Sequence, residues 1–399
     1  MNQVKPWKAK RLFWNTFNFG ETNTTSDSQL KIDNGAYNVL LGKGYGEIAA
    51  ESRSQHKSQG FGVPLQRGSL TEYFKLIVGV PATKSIFEGI DTTAKRSKGT
   101  EIYTIKLNEV ISRYNAAKPS ASVPALIEVY TALDGIEDAY WKTQKKKEIE
   151  ELIIACAGLW FETTSKDFAA SKGDQITVVS NAINRSGLTI KLDKVELVNN
   201  ARQDIKKELN NNELFTLESK IKVPDFIPYS SPYWLKNQQT DGALFSAEKK
   251  EYVPIGVPEV NWVFADFTFI IEGKKFIFSR PITYKWTDPI IGERYRSLEI
   301  LPELTATFEE SVCMFTDTSS RKVRVKLAAW RKNNNVKLRL LAPENWQISP
   351  EYVSYDSVAK GREYIATFTV KPLKSASSNP SENVLRATIQ WQDFKTNKS

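Results

Sequence analysis

Histidine is almost missing from this chain: His56 is the single one among 399 residues. That scarcity excludes most of the hydrolytic chemistry a chain could run unaided. A catalytic zinc takes three protein ligands, usually including two or more histidines, and keeps one position open for water. No HExxH, paired histidine or cysteine cluster is present. A serine nucleophile needs a base, His56 is the sole imidazole on offer, and there is no GxSxG elbow. Cysteine is scarce too. Cys156 falls in an apolar helical stretch and Cys313 in an apolar strand-like run, Val312 to Phe315, so both read as buried free thiols. Long hydrophobic runs are also lacking. The longest, Leu152 to Phe161, is too short to span a bilayer. No apolar stretch follows the basic start, so the chain as written is expected to carry neither export signal nor membrane span.

Acidic charge is modestly outnumbered, giving a net charge of +9. Spread over this length, that favours acidic neighbours without implying nucleic acid. Neither zinc-finger spacing nor an aromatic RNA-binding signature occurs, and no nucleic-acid partner is expected. What the chain does have is an ordinary globular balance, 41% hydrophobic and 25% charged, which argues against long disorder.

Periodicity divides the sequence into an α+β multidomain chain. Residues 1–97 form a small mixed region, with a strand at Leu12–Phe17 and a helix from about Tyr45 to Gln59 that stops at Gly60. Residues 98–168 read as a short helical bundle. Its three stripes are Leu107/Val110/Ile111/Tyr114, Val123/Leu126/Ile127/Tyr130/Leu133 and Ile149/Leu152/Ile153/Cys156/Trp160. From Lys172 the period becomes two. Residues 169–301 read as one β-sandwich, with a parity shift at Asp193–Lys194 that predicts a bulge and a hairpin turn at Gly273. Residues 302–399 read as a second sandwich of about seven short strands, which suits an immunoglobulin-like module.

Four features invite a functional reading. Ser52, His56 and Gln59 are spaced to share one face of the predicted helix, and a polar stripe of that kind lines a pocket or faces solvent. Gly42-Lys-Gly-Tyr-Gly46 mimics a phosphate loop but matches neither GxGxxG nor GxxxxGK[ST]; a tight turn seating the helix against a neighbouring backbone accounts for it. Between Arg321 and Arg339 lie eight Lys/Arg and no acid. Lys322, Arg324 and Lys326, with Lys337 and Arg339, are expected on the outer face of a basic hairpin. That face is either merely solvated or a contact for an anionic glycan or other acidic surface. The aromatics of Pro224 to Leu235 read first as packing of a Pro-rich crossover and second as a sugar-stacking loop.

The segments Pro6 to Asn15, Tyr45 to Gly62 and Phe87 to Thr93 together resemble large bacterial deacetylases of the PIG-L/LmbE family. Ser54-Gln-His-Lys-Ser-Gln59 is similar to that family's late helix-end motif, and Tyr284 to Arg296 is similar to a junction in its larger members. Leu341 to Trp346 and the sandwich after it resemble accessory modules of secreted carbohydrate enzymes. The resemblance implies zinc-dependent de-N-acetylation of N-acetylglucosamine-type sugars, in a periplasmic or extracellular setting. It implies that Ser52, His56 and Gln59 line the substrate side and that none of them is a zinc ligand. The family's Ala-His-Pro-Asp-Asp-like loop and its later histidine are absent here. The expectation is therefore an accessory, non-catalytic C-terminal portion, with no cofactor in this chain, zinc in the intact family member, and the missing catalytic half as a partner. The alternative is a stand-alone glycan-binding or cell-surface adhesion protein.

Overall fold

The computed structural model describes residues 8–198, 201–235, 263–373 and 384–392. The chain is mixed α and β with several separate sheets, and it divides into two compact units: 1–105 with 132–143, and 106–131 with 144–399.

In the first unit, β1 (Arg11–Thr16), β2 (Leu30–Asp33), α1 (Tyr45–Ser54) and β3 (Thr71–Gly79) follow in chain order. The strands pair antiparallel in the order β1-β3-β2. Asp33 closes the end of β2: its Oδ1 accepts from the Gly35 and Leu70 N–H groups, each at 2.8 Å, and its Oδ2 accepts from the Ser69 hydroxyl at 2.9 Å. Those backbone bonds, then the hydroxyl, hold its carboxyl below the usual value. At the start of α1, the Glu47 carboxylate accepts from the Gly44 N–H at 3.0 Å and pairs with Arg67 at 2.7 Å. A Cβ on Gly46 would lie 2.9 Å from the Gln66 carbonyl oxygen. The glycine-rich turn thus seats the helix against neighbouring backbone.

The helices are α2 (Glu101–Arg113), α3 (Val123–Ala132) and α4 (Ala139–Ala157), and the division between units runs through all three. Of the first predicted stripe, Val110 is buried whereas Ile111 and Tyr114 are exposed. Val123, Leu126, Leu133, Ile149 and Ile153 are buried as expected. The expected boundary at 168 is too late. Gly158, at φ +61°, ends α4 in the left-handed conformation, and Trp160 opens a strand rather than closing a helical stripe.

That strand, β4 (Trp160–Ser165), begins a sandwich with β5 (Gln175–Ile183), β6 (Ile190–Leu197), β7 (Ala201–Glu208), β8 (Phe215–Lys222), β9 (Phe264–Ile271), β10 (Lys274–Pro281), β11 (Thr283–Asp288) and β12 (Gly292–Ser297). One sheet runs β8-β5-β4-β11-β12 and the other β7-β6-β9-β10. They meet through Phe161 of the first sheet, whose ring lies 5.0–5.7 Å from those of Phe267, Phe269 and Phe278 of the second. The bulge falls where expected, between Leu192 and Lys194. The β9–β10 hairpin turns on Glu272 and Gly273, both at positive φ.

The last module contains β13 (Leu304–Phe308), β14 (Arg321–Ala329), β15 (Asn333–Leu341), β16 (Trp346–Ser349), β17 (Tyr352–Val358), β18 (Arg362–Pro372) and β19 (Arg386–Gln392). Its sheets run β13-β14-β18-β16 and β17-β15-β19. Val325, Leu327, Ala366 and Phe368 of one sheet share a core with Val336, Leu338 and Leu340 of the other. The apolar run Val312–Phe315 is not a strand. Val312 and Met314 are exposed, and Phe315 instead packs edge-on against Trp346 at 4.8 Å. Both thiols are free and half-buried rather than buried, and burial pushes that of Cys156 up.

Candidate functional site

The polar face expected on α1 does not form. The helix ends at Ser54, and His56 sits beyond it at φ −75°, ψ 59°, leading into a short turn of 3-10 helix at Lys57–Gln59. Ser52 is therefore the one member of the trio on the α-helix, and Ser52, His56 and Gln59 are all exposed. His56 Nδ1 lies 3.2 Å from the Arg53 carbonyl oxygen. The helix stops early because its apolar content is too thin to bury a longer stretch; Gly46 and Ala50 are its buried residues. Among the described residues, no group of three His, Cys, Asp or Glu side chains is placed to hold a metal ion.

The basic strands are split by the fold. Lys322, Arg324 and Lys326 stand on β14, whereas Lys337 and Arg339 stand on β15, which belongs to the opposite sheet. They occupy two outer faces, not one hairpin surface. Local acids answer several of them: Arg324 pairs with Glu309 at 3.2 Å, Lys326 with Glu363 at 3.0 Å, and Arg339 with Glu351. The Lys337 ammonium lies 4.9 Å from the Tyr352 ring centre. Glu363 lies on β18, and Glu309 and Glu351 adjoin the ends of β13 and β17, so a census of residues 321–339 could not reveal them.

Arg331, in the same basic run, does something different. Its guanidinium bonds Asp174 at 2.6 Å, Glu303 and the Lys172 carbonyl, while the Trp391 indole N–H donates to the other Glu303 oxygen at 3.2 Å. Asp174 belongs to the first sandwich and Glu303 to the second, so one side chain fastens the two modules. The side chains of both acids are 17% exposed, which keeps the fork largely out of water.

Hairpin β11–β12 falls in the Tyr284–Arg296 segment. On the outer face of its sheet, Lys285 Nζ lies 2.5 Å from Glu162 and 3.7 Å from Glu293, and the Tyr295 hydroxyl donates to Glu162 at 3.1 Å. Burial pushes the Lys285 ammonium down, but the two carboxylates outweigh it and its pKa is raised. Burial and then the same carboxylates push the Tyr295 phenol up. At the tip, Asp288 accepts from the Ile290 and Ile291 N–H groups at 2.8 and 2.9 Å, fixing two isoleucines that are 94% and 64% exposed. In the loop 224–235, Ile227 is buried but Phe226 is 79% exposed, so packing accounts for part of its apolar content.

Sequence reasoning missed the surface of the first unit. The register sets Phe13 opposite Leu76, and Phe74 opposite Leu30, on one face of the sheet. With Ser26, Gln29 and Thr83 at its rim they line an open recess of about 660 Å³. A second recess, of about 570 Å³, is lined by Lys8, Lys10 and Arg11 and shares Pro81 with the first. The exposed apolar side chains of this unit include Leu12, Trp14, Phe19, Leu40, Val78 and Phe87.

Among the described residues, no helix is long and apolar enough to cross a membrane. No protein-family profile matches this chain, and no curated protein sequence matches it. Red sea bream transglutaminase is similar at 8% identity over 64% of this chain and 32% of its own, with a TM-score of 0.26. An Escherichia coli alpha-2-macroglobulin activated by porcine elastase is similar at 10% identity over 58% of this chain and 33% of its own, with a TM-score of 0.17. The chain spans about a third of the length of each of these solved structures.

Proposed function

We propose that this chain is an accessory, non-catalytic portion of a zinc-dependent deacetylase acting on N-acetylglucosamine-type sugars, that it holds no zinc itself, and that its first unit is completed by the metal-bearing half. The observation that carries the reading is the unfinished core of that unit. Among the described residues of that unit the buried apolar side chains are Leu30, Ala50, Tyr103, Leu133 and Ile136, and within 8–105 they face a long series of exposed aromatic and aliphatic ones. A free-standing domain of that size buries most of its apolar side chains, and contiguous exposed patches mark contact surfaces. The chemical class comes from the motif resemblance in 6–93, of which Pro6 and Trp7 lie outside the described residues. In this reading Ser52, His56 and Gln59, exposed in the chain alone, border the substrate once the other half is present, in an exported protein. The last module is read as immunoglobulin-like, a reading supported by its two packed sheets of seven short strands.

The test is acetate release from N-acetylglucosamine oligomers. The chain with added zinc is expected to give none above the blank, and a PIG-L/LmbE catalytic domain lacking its own C-terminal part is expected to gain activity when the chain is added. Turnover by the chain and zinc alone overturns the reading. A stand-alone glycan-binding role is the second reading, favoured by the exposed Phe226 ring. Polysaccharide binding lost on Phe226→Ser or on changing Lys322, Arg324 and Lys326 to Ser, but untouched by Gln59→Ala, would replace the first reading with it.

A further inference from the structure

Charge, burial and backbone pairing coincide along β1. Among the described residues β1 pairs on one side alone, with β3, so its other edge offers backbone donors and acceptors that no strand takes up. Leu12 and Trp14 stand exposed on it, and Val78, opposite Leu12, is exposed on β3. No acid occurs from Lys8 to Gly20 or from Tyr73 to Phe87, whereas Lys8, Lys10, Arg11, Lys75 and Lys84 do. Among the described residues none of these five cations makes an ion pair, in contrast to Arg324, Lys326 and Arg339 of the last module. Glu88 is the one acid lining the recess beside Lys8, Lys10 and Arg11; its carboxylate accepts from the Thr83 and Lys84 N–H groups, and the Arg11 guanidinium donates to the Ile86 and Glu88 carbonyl oxygens. An apolar edge flanked by Lys8 and Lys10, which make no ion pair among the described residues, repels a second copy of itself and suits an extended segment that alternates apolar with acidic side chains.

We propose that β1 is a docking edge, on which an extended, acid-bearing segment of the partner domain adds a strand and completes the sheet; the identity of that partner rests on the function proposed above. Strand addition draws affinity from main-chain hydrogen bonds and selectivity from the alternating side chains. Glutamates or aspartates on the incoming strand would pair with Lys8 and Lys10, and its apolar residues would cover Leu12 and Trp14.

Hydrogen exchange of the whole chain tests this, with two synthetic probes of about ten residues, one alternating Val with Glu and one alternating Val with Lys. The Val-Glu peptide is expected to slow exchange across Arg11–Thr16 by about tenfold, and the Val-Lys peptide to leave it unchanged. The double variant Lys8→Glu/Lys10→Glu, both sites exposed, is expected to keep its circular dichroism spectrum and bind the Val-Glu peptide about tenfold more weakly. Equal protection by both peptides, protection of Leu30–Asp33 in place of β1, or an indifferent double variant overturns the proposal. The same exchange measurement with the deacetylase domain separates the two readings. A β1 that responds to the peptide but not to that domain keeps the docking edge and removes the deacetylase partner. A deacetylase domain that binds and leaves β1 exchanging freely removes the edge and keeps the partner.

Discussion

Arg331 holds one guanidinium among two carboxylates and a carbonyl, so its loss strands two largely buried acids. Removing one member of a buried ion pair costs far more than an exposed one, because the remaining charge stays desolvated. Arg331→Met is expected to cost about 2–4 kcal/mol, read as a shift in the urea midpoint of the sandwich unit. Arg331→Lys is expected to recover part of that, since an ammonium supplies the charge without the planar fork. The sequence displayed Arg331 as one more cation in a basic run. Nothing in residues 321–339 distinguishes it from Arg324, because the distinguishing partners lie far away in the chain, at Asp174 and Glu303.

At the scale of elements, the bulge in β6 makes a sharp contrast available. Asp193 is the extra residue between Leu192, opposite Phe269, and Lys194, opposite Thr268. Deleting it would leave Leu192, Val195 and Leu197 on one face in strict alternation, so the variant is expected to stay folded. Deleting Val179 from the regular strand β5 turns Ser180 and Ala182 to the wrong face, and that variant is expected to lose cooperative unfolding. Calorimetry of the two deletions checks both outcomes. Asp33 offers a pH test. Its carboxyl is held below the ordinary 3.8, so its contribution is fully present above that value and disappears as the pH falls through the lower, folded value. As the pH falls below the ordinary carboxylate range the Gly35 and Leu70 amides are expected to lose protection relative to their intrinsic exchange rates, and Asp33→Ala to show that lower protection at neutral pH. Strand alternation, the bulge and the Gly273 turn were legible because a period of two and a turn glycine are local signals. The end of α1 was not legible. His56 to Gln59 have no strong breaker before Gly60, and the helix yields earlier because little apolar surface holds its last turn.

Across the whole molecule, the two units differ in how much each has buried. The second closes two aromatic and aliphatic cores, whereas the first leaves Trp14, Phe19, Leu40 and Val78 in solvent. Urea unfolding of the isolated chain is therefore expected to be biphasic. The first transition would report residues 8–105 by hydrogen exchange and the second the sandwiches; a single coincident transition in both regions would contradict this. Dye binding to exposed apolar surface is expected before any denaturant is added, and to fall when a partner covers β1. The composition is that of an ordinary globular protein throughout, so no count of hydrophobic residues could show that half of them in one region lack a core to enter. That shortfall becomes visible only when strand order fixes which side chains have neighbours.

The Arg331 fork also sets a rule of inheritance. Two of its three acceptors, Asp174 and the Lys172 carbonyl, belong to the first sandwich, while Arg331 and Glu303 belong to the second. A recombination joining the second sandwich to a foreign first one would transmit a guanidinium with one of its three acceptors and a glutamate tuned to share it. Exchange between lineages would thus favour keeping the pair together, and the unit that is shuffled, duplicated or lost would be the double module rather than either sandwich.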